Sequence, residues 1–240
     1  MKPIFKKSEH LDYVLQNKRI DIWQYPLHTQ FNGATELLSE DELTRAKRYH
    51  FERHQRRFTV ARAMLRRIIG HYLNKPPAEL VFSYNKHGKP ELNNTSSLQF
   101  NLSHSGDLAI LAIGKEFPLG IDIEFFSARP YEGIGKQLFS TTEKQGLHNV
   151  STMLKPLAFF HIWAQKEAFI KACGLGLAYP TQEFDVAILP PTNQPCVDNL
   201  HQHEWQLVSF MPQVACSAAL CHHPTIEDIR YFTLKECNSL

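Results

Sequence analysis

Apolar and polar residues alternate through Ile20-Asp21-Ile22-Trp23-Gln24-Tyr25 until Pro26, which predicts an early strand. At Ser39 the pattern changes. A capping residue precedes Glu40, Asp41 and Glu42, and the chain then runs without Gly or Pro to Ile69, as a helix does. Phe58, Ala61, Leu65, Ile68, Ile69 and Tyr72 recur at helical spacing, so one stripe faces a core, and Gly70 weakens the last turn. After Pro76-Pro77, Leu80 to Tyr84 reads as a short strand and Asn85 to Pro90 as a loop. Phe100 to His104 and Leu108 to Ile113 flank Ser105-Gly106-Asp107 in the pattern of a hairpin, and a third strand, Leu119 to Phe125, follows Pro118. A second long helix is expected from Pro156 to Cys173, with Gly174 as its left-handed cap. Beyond it, Glu183 to Leu189 reads as a strand, Pro190 to Asn199 as a loop, and 204–210, 213–221 and 229–234 as strands. Helix then strands, twice over, predicts an α+β fold with a weak internal duplication and halves of 1–117 and 118–240.

Composition narrows the class of protein without naming it. The 240 residues are ample for a core, and 26 Lys and Arg against 24 Asp and Glu leave a formal charge of only +2. No global field therefore argues for nucleic acid or for an anionic membrane, and an electrostatic partner must be met by a local patch. Five cysteines without a CxxC pair fit neither a disulfide framework nor a zinc ribbon, so a reducing cytoplasm is expected. Lys2, Lys6 and Lys7 are followed by Ser8-Glu9-His10-Leu11-Asp12 rather than by the apolar run of a signal peptide, and Leu108 to Ile113 is too short to span a bilayer. The expectation is a soluble, unprocessed chain. Its most basic stretch is Ser39 to Leu73, where Arg45, Lys47, Arg48, Arg53, Arg56, Arg57, Arg62, Arg66 and Arg67 face four acids.

Asp122 and Glu124, in Gly120-Ile121-Asp122-Ile123-Glu124, fall on one face of a strand. Either that face is a solvated acidic one, or a hard divalent cation such as magnesium relieves the repulsion. In Trp163-Ala164-Gln165-Lys166-Glu167-Ala168-Phe169-Ile170-Lys171, Glu167 and Lys171 share a helical face, and Glu167 also lies on the stripe of Phe160, Trp163 and Ile170. A carboxylate there needs either its neighbour Lys171 or a metal. Ser103 and His104 are adjacent strand residues pointing to opposite faces, and no G-x-S-x-G elbow occurs, so rather than hydrolysis they suit either polar anchoring of an oxyanion or base edge or a polar cluster that satisfies its own hairpin turn. His222-His223 lacks zinc spacing and reads as structural, and there is no P-loop or G-x-G-x-x-G.

Taken together, Gly88-Lys89-Pro90, Phe100-Asn101-Leu102-Ser103-His104-Ser105, Gly120 to Glu124 and Trp163 to Lys171 resemble the Sfp-type 4'-phosphopantetheinyl transferases in order and spacing. The resemblance runs from the first strand to about Asp185. It implies a monomer of two similar α+β halves, with coenzyme A and magnesium, or manganese, in the cleft between them. The implied reaction moves phosphopantetheine from coenzyme A to a serine of an apo acyl or peptidyl carrier protein and releases 3',5'-ADP. By that resemblance Asp122, Glu124 and Glu167 hold the metal, and Lys171 contacts the pyrophosphate with Lys166 beside it. Arg57, Lys89, Ser103 and His104 bind the 3'-phosphate and adenine end, and Glu167 or a metal-bound water is the base. Ala164 stands where the family usually has a small hydroxyl or thiol residue, and Arg45, Lys47 and Arg48 are left unassigned. The basic helix is expected to meet the acidic helix of the carrier. The competing readings are a magnesium-dependent nuclease of the D…ExK type and a nucleic-acid-binding module using the Arg-rich helix.

Overall fold

A computed structural model describes residues 3, 5–7, 13–29, 31–93, 97–127, 132–234 and 237. Lys2 and Ser8 to Asp12, on which the reading of the N-terminus rests in part, lie outside the described residues. In chain order the elements are β1 (Lys6–Lys7), β2 (Arg19–Pro26), α1 (Glu40–Lys47), α2 (Glu52–Leu73), β3 (Phe82–Tyr84), β4 (Pro90–Leu92), β5 (Leu98–Ser105) and β6 (Leu108–Lys115). They continue as β7 (Gly120–Phe125), α3 (Glu132–Leu138), α4 (Thr141–Asn149), α5 (Lys155–Cys173), β8 (Asn193–Asp198), β9 (His203–Phe210), β10 (Cys216–His222) and β11 (Asp228–Thr233).

The expected duplication is visible as topology. In the first half β2, the crossover through α2, and the hairpin β5–β6 give the sheet order β2-β6-β5; in the second half β7, the crossover through α5, and the hairpin β9–β10 give β7-β10-β9. Each half is thus one strand, a long helix and a hairpin whose second strand inserts between the other two. Additions differ: β11 and β1 extend the first sheet beyond β2, while β8 extends the second beyond β9. The C-terminal strand therefore returns to the first sheet, parallel to β2.

Strand alternation sorts the apolar residues into three cores. Trp23, Tyr25, Leu111 and Ile113 face α2, and Ile20, Ile22, Ile110 and Ala112 face the other sheet, where Ile121, Ile123, Ala218 and Leu220 meet them. Leu207, Ala219 and Cys221 point to the remaining side, against Phe159, Ile162 and Phe169 of α5. The result is a helix, two sheets and a helix in layers, with Asp122 and Glu124 on the side of β7 that faces α5. No described helix is long and apolar enough to cross a membrane.

Where the structure departs from the sequence pattern, distant contacts decide. The helix expected from Ser39 breaks at 48–51 into α1 and α2. A continuous helix would hold Glu42 about 30 Å from Arg62. The break folds it back, so that Glu42, 1% exposed, accepts hydrogen bonds from Arg62 Nε at 2.6 Å and Arg66 Nε at 2.7 Å. Residues 184–189 are not a strand although Phe184, Val186 and Ile188 alternate. They lie over α4 and α5, and side chains satisfy their backbone: Val186 N–H donates to Glu143, while the Phe184 and Ala187 carbonyls accept from Lys166 and Gln165. Asn193–Asp198, expected as loop, is instead an edge strand, where Pro195 is tolerated.

Replacing Glu42 by alanine leaves two buried guanidinium groups without their carboxylate. The expected loss is about 3–5 kcal/mol, measured by urea unfolding. A loss below about 1 kcal/mol would mean that water or backbone carbonyls satisfy Arg62 and Arg66 unaided.

Candidate active site

The two sheets meet at β5 and β7, and side chains rather than a backbone ladder join them. On β5 the period of two places Asn101, Ser103 and Ser105 on one side. Asn101 Oδ1 accepts the Ile121 N–H at 2.8 Å, Ser103 Oγ donates to Asp122 Oδ1 at 2.7 Å, and Ser105 Oγ accepts the Phe125 N–H at 3.1 Å.

Gly120 lets α5 close on β7. A Cβ there would lie 2.0 Å from the Ala168 carbonyl oxygen and 2.4 Å from the Ala172 nitrogen, so no larger residue allows this approach. Lys171, one turn from the cap at Gly174 (φ 74°), then reaches across. Its ammonium donates to Asp122 Oδ1 at 2.5 Å and to Ser103 Oγ at 3.1 Å. The second carboxylate oxygen of Asp122, Oδ2, is buried without a hydrogen-bond partner. Glu124 accepts from Trp163 Nε1 at 3.0 Å and from Ser105 Oγ at 3.2 Å, which fixes its carboxylate beside α5.

Electrostatically the group has more negative than positive charge. Burial, then Asp122 and Glu124, push the Glu167 carboxyl up to about 7 against the pull of Lys171. Glu124 is also raised, by burial first and Asp122 second. Burial opposes the charge on Lys171, but Asp122 and Glu167 outweigh it and hold its pKa above the ordinary lysine value. As placed here, no three His, Cys, Asp or Glu side chains among the described residues converge closely enough to hold a metal ion. The donor set nevertheless suits one, because an unpartnered buried oxygen on Asp122 adjoins two carboxylates whose ionisation is disfavoured by burial first and by the charge of Asp122 second.

His104 reaches solvent at the end of β5. Desolvation, then Lys171 and Arg57, lower its pKa, so the imidazole belongs to the same electrostatic neighbourhood. Arg57 projects from the first half of α2, and its Nε donates to Asp107 Oδ1 at 2.8 Å in the turn between β5 and β6, leaving its other N–H groups for an anion. Along α1, Glu40, Asp41, Thr44, Arg45, Arg48, Tyr84 and Gly88 line a groove of about 560 Å³, which brings two of the unassigned cations together with two carboxylates.

Two expected residues are placed elsewhere. Lys166 is five residues before Lys171, about 140° around the helix. It points away from Asp122: only 1% exposed, it donates to the Thr181 and Phe184 carbonyls and pairs with Glu143 Oε2 at 3.0 Å. Lys89 is taken up by the backbone, donating to Leu119 O at 3.1 Å and Lys171 O at 2.7 Å, and burial lowers its pKa to about 8. It lines a separate cavity of about 540 Å³ at the C-terminal end of α5. With Asn85, whose Nδ2 donates to Gly174 O at 2.9 Å, it clamps that end of the helix. His222 and His223 follow the last β7–β10 pair, Cys221 with Gly120, and His223 stacks on Phe117 at 4.0 Å. Asn101, Ser105, Trp163 and Asp107 adjoin the candidate site residues without being singled out by the sequence pattern, although the alternation of Asn101, Ser103 and Ser105 signals three polar side chains on one edge.

Three carboxylates and a lysine, with Arg57 and His104 nearby, thus gather at the junction of two like α+β halves, an arrangement suited to a hard divalent cation. Comparison with known proteins gives the family. Residues 21–116 match the family model described as 4'-phosphopantetheinyl transferase, N-terminal, and residues 118–219 that of the 4'-phosphopantetheinyl transferase superfamily. The chain is 36% identical over 215 residues to the 4'-phosphopantetheinyl transferase HetI of Nostoc sp. strain PCC 7120, covering 86% of this chain and 88% of that one. It is 33% identical to the 4'-phosphopantetheinyl transferase psf-1 of Bacillus pumilus, covering 70% of this chain and 75% of that one. To the 4'-phosphopantetheinyl transferase Sfp of Bacillus subtilis strain 168 it is 30% identical, covering 67% of this chain and 75% of the relative. The chain belongs to the 4'-phosphopantetheinyl transferase superfamily and is of the Sfp type.

The raised Glu167 pKa has a testable sign. Folding favours its protonated form, a contribution present in full below the ordinary glutamate value of 4.5 and lost as pH rises through about 7. In protein free of metal and substrate, Glu167→Gln should therefore leave Tm near the parent's at about pH 5 and raise it above the parent's at about pH 8. An equal shift at both pH values would show that Glu167 is ordinary in the folded state.

Proposed function

We propose that this transferase moves phosphopantetheine from coenzyme A to the serine hydroxyl of an apo acyl or peptidyl carrier protein, releasing 3',5'-ADP, with magnesium, or manganese, as its metal. The observation that carries the reading is the meeting of Asp122, Glu124, Glu167 and Lys171 at the β5–β7 junction in a chain of this family.

Asp122 and Glu124 would hold the ion, with Glu167 beside them. When bound, a magnesium ion neutralises charge developing on the pyrophosphate. Lys171 supplies a further positive charge, which Asp122 and Ser103 orient through the hydrogen bonds given above. Glu167, with a pKa near neutrality, is the group that takes the proton from the carrier serine as its oxygen attacks the β-phosphate. Arg57, held from one side by Asp107, and His104 present N–H groups to the 3'-phosphate and adenine end. Lys89 and Lys166 act through the fold, the first by fixing the backbone at Lys171 and the second by anchoring α5 to α4. The five free thiols support a reducing cytoplasm as the place of action, and one chain carries every group named, consistent with a monomer.

Intact-protein mass spectrometry of an apo acyl and an apo peptidyl carrier, each incubated with this protein, coenzyme A and magnesium, tests the reading. A gain of one phosphopantetheine is expected, abolished by EDTA and reduced at least about 100-fold in rate by Glu167→Ala. Transfer that persists in EDTA, or at the parental rate in Glu167→Ala, would contradict it.

A further inference from the structure

Lys171 stands in the last turn of α5, and the chain leaves the helix at the Gly174 cap. A helix that ends there is left with carbonyls that no intrahelical N–H reaches. Ile170 O is satisfied locally, by the Gly174 N–H at 3.0 Å. The next acceptor, Lys171 O, and the carbonyl of the cap itself are taken by side chains from the other half of the molecule. Lys89 Nζ donates to Lys171 O at 2.7 Å, and Asn85 Nδ2 donates to Gly174 O at 2.9 Å. The first half therefore caps a helix of the second.

Asn85 is the centre of this cap. Its Oδ1 accepts the His87 N–H at 2.9 Å and the Lys89 N–H at 3.0 Å, its own N–H donates to Lys89 O at 3.0 Å, and its carbonyl accepts the Gly88 N–H at 2.9 Å. Residues 85–89 thus form a turn closed on itself, with Gly88 at φ 85°, that reaches α5 through the Asn85 amide and the Lys89 ammonium. The approach is close, since a Cβ on Gly174 would lie 3.3 Å from Asn85 Nδ2. Aspartate at 85 would keep the oxygen that closes the turn but would set a carboxylate oxygen against Gly174 O, acceptor facing acceptor.

What the cap holds is the place of Lys171. The Lys171 ammonium binds Asp122 on β7 and Ser103 on β5, so its reach depends on where the last helical turn lies against both strands. Lys89 also donates to Leu119 O at 3.1 Å, just before β7, and so one loop fixes the start of β7 and the end of α5 together. Helix ends fray unless a group outside the helix binds them. A charge that must meet developing charge on phosphate oxygens is sensitive to small displacements. Resting on the function proposed above, we propose that Asn85 is a positioning residue for the transfer reaction: with Lys89 it caps the last turn of α5 from the opposite half and so sets where the Lys171 ammonium stands. Its loss falls on kcat rather than on KM, because the placement counts most in the transition state.

The test is Asn85→Asp in the full chain, alone and in a Lys171→Ala background. Transfer to apo acyl and apo peptidyl carriers is measured with coenzyme A and magnesium, in the Lys171→Ala background with enzyme in excess of carrier. Folding is followed by Tm and the end of α5 by amide hydrogen exchange. Asn85→Asp is expected to lower kcat at least about tenfold, with KM for carrier and coenzyme A within about threefold of the parent and Tm retained. Exchange over 171–175 should quicken while the first turns of α5 stay protected. With Lys171 already replaced by alanine, the same substitution should change the rate less than about twofold, because the group it positions is gone. Parental kcat in Asn85→Asp would overturn the proposal, and so would a tenfold loss that persists in the Lys171→Ala background. Lys89→Met removes the other cross-bond and is read in the same way, which keeps the test decisive should Asn85→Asp fail to fold. Failure of the parent itself to modify either carrier would remove the function on which the proposal rests, an outcome distinct from an active parent with an indifferent Asn85→Asp.

Discussion

The hydrogen-bonded seam between β5 and β7 is the constraint on which the site depends. Two sheets that pack face to face have no reason to bring an edge of one to an edge of the other. Here Asn101, Ser103 and Ser105 replace the missing ladder by binding Ile121, Asp122 and Phe125. Because strand side chains alternate, the same spacing that satisfies the β7 backbone also turns Ser103 toward Asp122 and Ser105 toward Glu124. Structure and site are thus made by one set of bonds. Gly120 completes the arrangement by letting α5 lie against β7 at backbone distance, which places Lys171 over Asp122.

This geometry concentrates like charge where a fold optimised for stability would not. Asp122, Glu124 and Glu167 lie around one ammonium, and the two glutamates respond by holding their protons more tightly than free glutamate does. Elsewhere the protein treats buried charge differently: Glu42 is matched by two arginines, and Glu143 by Lys166 and backbone N–H groups. The contrast separates ionic groups that hold the fold from those kept short of positive charge. A site poised in this way favours an added cation and a substrate that brings its own phosphates into the neighbourhood of Lys171, His104 and Arg57.

Elements bounded by local signals were legible in the sequence. Pro156 and Gly174 mark α5 almost to the residue, and Ser105-Gly106-Asp107 marks the turn between β5 and β6. Asp122 and Glu124 sharing a face, and Glu167 lying with Lys171, followed from period alone. What failed was non-local. No helical pattern reveals that Glu42 must fold back onto Arg62, so α1 and α2 read as one helix. Lys166 reads in sequence as a companion of Lys171, but Glu143, from another helix, pairs with it. Residues 184–189 alternate like a strand because they cover α5, and what distinguishes the two cases is whether a neighbouring strand or the side chains of Glu143, Gln165 and Lys166 take up the backbone groups. The helices α3 and α4 contain Gly133, Gly135 and Gly146, which weakened their signal, although Ser140 and Glu143 form a capping box.

The proposed function turns on a cation held by Asp122 and Glu124, with Glu167 beside it, in the presence of coenzyme A. Manganese electron paramagnetic resonance, titrated with and without coenzyme A, tests it most directly. A single tightly held ion is expected in the presence of coenzyme A, with binding lost in Asp122→Asn while that variant stays folded. Manganese binding of parental strength in Asp122→Asn would contradict it.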